Sequence, residues 1–213
     1  MFFLPVILIL SILIFTLGAQ IFLRSLSFKL RNYEFLRVYE WKIFKYIFYF
    51  SIFAVFSLFI YYSYQQYIVW QSVEPSKFLL PPHQSINYFL YYIGMRFFAP
   101  YIVSLSTAFL FLLAAKYFNK KYDERFFYPE ELWLGALALF LVSWPGALFY
   151  FIGLILIYLI IHIFVTSYYK FFFRASPREV RLSLRLWWIP LTIFVIIINK
   201  WLIDLELWKL LKI

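Results

Sequence analysis

Two adjacent acids, Glu130 and Glu131, are the residues of this chain best suited to acid–base work. They follow Pro129 directly and open an apolar stretch. Paired carboxylates at a membrane boundary can share one proton or hold a substrate amine. Acids in the first turn of a helix also answer its unpaired N–H groups and its dipole. Arg96 lies well inside another apolar run. An intramembrane arginine marks a polar site unless its head snorkels to the interface. Pro100, four residues on, offers a kink that would free carbonyls for it. Lys170, Arg174, Arg178, Arg181 and Arg185 recur at helical spacing. Pro177 interrupts that stripe, so Arg178, Arg181 and Arg185 are the part that shares one face, suited to anionic lipid headgroups. His83 and His162 are far apart in sequence, and a lone His162 reads as a donor between helices. The chain has no cysteine, so thiolate chemistry and disulfides are excluded. With five glycines and no HExxH or Walker pattern, neither a cofactor nor a resident metal is implied.

The elements that must position these groups follow from where charge is missing. Hydrophobic residues make up 65% of the chain and charged ones 14%. A soluble domain carries about 25% charge. Residues 2–23 and 46–73 hold no charged side chain, and basic clusters separate such runs. The pattern predicts an all-α, polytopic membrane helix bundle in one transmembrane domain over 1–213, with about six spans. They fall near 2–23, 46–70, 86–115, 129–143, 147–169 and 183–203. The first is read as a retained signal anchor, because no basic residue precedes its apolar run. Alternate loops 24–45, 116–128 and 170–185 carry six, four and five basic residues, whereas the loop 71–85 carries Lys77. The positive-inside rule then predicts both termini outside, in a prokaryotic cytoplasmic membrane. The net charge of +10 accords with that orientation and with attraction to the bilayer and its anionic headgroups; it does not call for nucleic acid. Trp41, Trp133, Trp187 and Trp188 fall at predicted inner boundaries, and Trp70, Trp144 and Trp201 at outer ones, as an aromatic belt would place them.

Local signals place helix starts. Tyr128-Pro129-Glu130-Glu131 and Ser176-Pro177-Arg178-Glu179 both combine a proline at the first helical position with a glutamate that can cap. Ser143-Trp144-Pro145-Gly146 reads as a tight turn between two antiparallel helices. It leaves the fourth span at about fifteen residues, roughly 22 Å, short for a bilayer core of about 30 Å.

The stretch from Glu131 to Trp144, a short leucine- and alanine-rich helix ending at tryptophan, resembles the segment after the Gly-x-Gly-Asp motif of type IV prepilin peptidases. Trp187 to Pro190 is similar to that family's late proline-containing span. The resemblance implies six spans with two catalytic acids at the cytoplasmic face. At the matching positions this chain has Tyr128-Pro129-Glu130-Glu131, and Gln20 and Arg24 where the first aspartate would follow span one. The next acids after span one are Glu34 and Glu40, and the first aspartate in the chain is Asp123. Glutamate carries its carboxyl one methylene further out, which an aspartic dyad's geometry does not absorb. The expectation is therefore a degenerate relative of that family, a non-catalytic scaffold or assembly partner of other membrane proteins. Two alternatives stay open. One is an aspartyl-type membrane endopeptidase using Asp123 or Glu131, which a close approach of Glu131 to Glu34, Glu40 or Asp123 would favour. The other is a transporter subunit, which a polar cavity around Arg96 would favour.

Overall fold

The computed structural model describes residues 3–29, 33–122, 126–173 and 184–202. Helices dominate these residues, which include no strand. In chain order they are α1 (Phe3–Lys29), α2 (Tyr33–Ser72), a 3-10 turn (Ser76–Leu79), α3 (Ile86–Ile93), a π-helical turn (Gly94–Phe98), α4 (Ala99–Lys121), α5 (Pro129–Val142), α6 (Gly146–Phe173) and α7 (Trp188–Leu202). Each of the six apolar segments predicted from the sequence contains a helix. Among the described residues, four stretches are long and apolar enough to cross a membrane: Leu4–Leu26, Tyr39–Ser72, Ile86–Lys121 and Gly146–Tyr168. Trp188–Ile198 is apolar but shorter.

The fourth predicted span departs most from a membrane helix. Every residue of α5 from Glu130 to Val142 is buried. A helix apolar on all sides is an interior helix, and α2, α4, α6 and α7 pack directly against α5. Further contacts link α2 to α1, α1 to α7, and α7 to α6. The bundle is thus built around α5. Its 14 residues need not match the bilayer thickness, because it presents almost no surface to lipid.

Close packing around α5 depends on small residues. Gly135 faces Phe111 of α4 and Trp188 of α7 so tightly that a β-carbon there would lie 2.6 Å and 2.8 Å from their rings. The core holds Phe44, Phe48, Leu134, Leu137, Phe140, Tyr150 and Trp188, all fully buried. Phe140 meets Phe48 edge-on at 6.3 Å and Tyr101 at 5.9 Å. Such aromatic pairs add about 0.5–1.5 kcal/mol beyond area burial. Three of the tryptophans expected in a headgroup belt are core residues instead: Trp188 is fully buried, and Trp70 and Trp133 are each 7% exposed.

Val142 ends α5 and Gly146 begins α6, so the Trp144–Pro145 turn does separate two helices. The Trp144 N–H donates to the Pro100 carbonyl at 3.3 Å, tying this turn to the start of α4. Pro100 has no N–H and its ring crowds the preceding turn. The chain absorbs this by widening into the π-helical turn Gly94–Phe98 just before it.

Candidate functional site

The charged side chains that the fold brings together lie where α5 begins. Pro129 fixes the first turn, and the Tyr128 N–H donates to the Glu131 carboxylate at 2.9 Å. Glu131 thereby caps its own helix. Upstream, the Asn119 side-chain amide donates to the Phe127 carbonyl at 2.6 Å, and the Phe127 N–H donates back to Asn119 Oδ1 at 3.0 Å. This two-point clamp anchors the strand of chain entering α5 to the end of α4. Both acids are buried, Glu131 at 1% and Glu130 at 3% exposure.

Glu130 meets Arg185, from the turn that precedes α7. Arg185 Nη1 donates to Glu130 Oε1 at 3.3 Å, and Arg185 Nη2 lies 2.9 Å from Glu40 Oε2 of α2. The carboxylate side chains are 4% and 5% exposed and the guanidinium 19%. The Gln20 side chain of α1, itself buried, donates to the Arg185 backbone carbonyl at 2.5 Å. One residue therefore joins α1, α2 and α5 to the start of α7. Two buried carboxylates on one planar guanidinium form a network that must be satisfied as a unit, since removing any member strands a buried charge. Gln20 Oε1 and Glu130 Oε2 remain buried with no hydrogen-bond donor.

Other sequence-predicted residues lie apart from this cluster. Arg96 is exposed on the π-helical turn; it donates to the Tyr92 hydroxyl and lies 5.4 Å from that ring's centre. Glu130 and Glu40 meet through Arg185, and Glu131 accepts from the Tyr128 N–H at the start of α5. His162 is exposed on α6 and stacks on Tyr158 at 5.9 Å, so it bridges no helices. Arg185 is turned inward onto carboxylates, away from the headgroup-facing stripe expected of it. Asp123, Arg178 and Arg181 fall outside the described residues. Among the described residues no three His, Asp or Glu side chains gather to hold a metal.

Two members of the cluster or its support escaped the sequence reading as partners, Gln20 and Asn119, while Glu40 enters it as a candidate neighbour of Glu131. Gln20 carried a usable signal, being a polar side chain inside an otherwise apolar span. Glu40 sits among basic residues, and nothing near it in the sequence points to Arg185 or Glu130. Asn119 gives no local signal. No protein-family model, curated protein or solved structure matches the chain.

Proposed function

We propose that the protein is a non-catalytic membrane scaffold, an assembly partner for other membrane proteins, whose buried acids serve the fold. The observation that carries this reading is the fate of the acids. Glu131 caps α5, and Glu40 and Glu130 are both held by Arg185. A dyad that activates water needs two acids sharing a proton, with room for the water between them. Here a guanidinium links the two carboxylates. A scaffold also needs surface beyond its own core. α2 has 40 residues, roughly 60 Å at 1.5 Å per residue, about twice a bilayer core. Its far end and α3 extend past the α5–α6 turn and pack through Trp70, Phe89 and Tyr92, with ring centres 5.2 Å and 4.8 Å from Trp70. Tyr61, Tyr64, Tyr88 and Tyr91 are exposed there. Tyrosine supplies contact area at low entropic cost, which suits it to partner surfaces.

The endopeptidase reading has one observation in its favour. Glu130 Oε2 is buried without a hydrogen-bond partner, which leaves one carboxyl oxygen open to a water or a substrate group. Kinship with prepilin peptidases is compatible with either reading. Incubating the purified protein with a prepilin and looking for a processed product decides between them. The scaffold reading expects none. Cleavage that disappears in Glu130→Gln overturns it and makes Glu130 catalytic.

A further inference from the structure

At the same end of the bundle, two lysines from different helices converge on one indole. Lys45 Nζ of α2 lies 5.7 Å from the Trp133 ring centre, and Lys116 Nζ of α4 lies 5.2 Å from it. Trp133 belongs to α5 and is 7% exposed, so the ring is a fixed platform between the two outer helices. Neither lysine pairs with a carboxylate among the described residues. Two ammonium groups held near one ring repel each other, and an anion between them would turn that repulsion into attraction.

The surroundings say which kind of anion fits. From Lys45, one step of helical spacing along α2 reaches Tyr49, and from Lys116 the same stripe along α4 runs back through Leu113 to Phe109. All three are exposed and apolar or aromatic. α2 and α4 lie side by side here, with Phe48 and Phe109 at 6.0 Å. The lysines thus cap an exposed seam that runs away from the basic end of the bundle into the apolar part of both helices. A soluble anion would use the lysines alone. A phospholipid would use both parts, its phosphate on the lysines and its acyl chain along the seam.

We propose that Lys45, Lys116 and Trp133 form a binding site for the phosphate of an anionic phospholipid, with the α2–α4 seam taking an acyl chain. The site is separate from the Arg185 cluster, and neither lysine touches that cluster. The test uses the full chain in detergent with phosphatidylglycerol, with phosphatidylcholine of the same acyl chains, or with inorganic phosphate, followed by native mass spectrometry and thermal unfolding. The wild type retains phosphatidylglycerol in preference to phosphatidylcholine, and phosphate alone gives no thermal shift. Lys45→Gln/Lys116→Gln weakens phosphatidylglycerol binding roughly tenfold or more, since each basic residue at a membrane surface is worth about a fivefold change. Lys45→Arg/Lys116→Arg keeps it, as does Lys121→Gln, a basic change at the end of the same helix. Equal retention of both lipids, or an unaffected double Gln variant, overturns the proposal. So does an equal loss in Lys121→Gln, which would mean diffuse charge. A thermal shift with phosphate alone, abolished in the double Gln variant, would reassign the lysines to a soluble phosphate compound.

Discussion

At the scale of single residues, neighbours in sequence take unlike roles. Glu130 and Glu131 are adjacent, yet one turns inward to Arg185 and the other turns back to cap α5. The sequence foretold the cap, because a proline followed by acids at a helix start is a local pattern. It could not foretell the inward acid, because Glu40 and Arg185 lie far away along the chain and only the bundle brings them to Glu130. Gly135 makes the same point about packing. Nothing around it in the sequence marks it, but Phe111 and Trp188 arrive from two other helices and leave no room for a β-carbon. Gly135→Ala should lower stability by roughly 1–3 kcal/mol, the usual cost of overpacking a filled core. Thermal unfolding in detergent checks this, and an unchanged midpoint would mean that the two rings can move aside.

At the scale of elements, the helices were largely legible and their environments were not. Apolar runs broken by charge and proline located all six apolar segments, because exclusion of charge is a property of each segment alone. Whether a segment faces lipid or protein depends on its neighbours. The sequence treated α5 as a short span, and the bundle makes it the central helix. The same blindness put Trp70, Trp133 and Trp188 in a headgroup belt when all three are core residues. The end of α5 also holds strain. Ser143 adopts φ 60° and ψ 166°, a region essentially reserved for glycine and costing other residues about 1–3 kcal/mol. Its side chain is hydrogen-bonded to Tyr101, a contact worth about 1 kcal/mol. The strain outweighs the bond, so Ser143→Gly should raise the unfolding midpoint. Ser143→Val, which keeps the strain and loses the bond, should lower it. A fall in both variants would show that the hydroxyl matters more than the backbone.

At the scale of the whole molecule, the described residues form a helix bundle with four lengths of helix long and apolar enough to cross a membrane, a buried central helix and a buried charge cluster tying α1, α2 and α5 to the start of α7. The basic loops predict which way it sits, with both termini outside. A cysteine placed at Ser76 should then react with an impermeant reagent added from outside, and one at Ser27 should not; the reverse pattern would invert the orientation. The central claim is that the acids serve structure. If so, Arg185→Met should cost roughly 3–5 kcal/mol, because it takes from two buried carboxylates the guanidinium they share. Removing all three charges together, as Glu40→Gln/Glu130→Gln/Arg185→Met, should recover at least half of that loss, because a buried ionic cluster is often replaceable by neutral side chains of similar size. Unfolding of these two variants beside the wild type is the most direct test. A large loss in the single variant, mostly restored in the triple, is the predicted result. A single variant as stable as the wild type would contradict it, and would make Glu40 and Glu130 candidates for chemistry again.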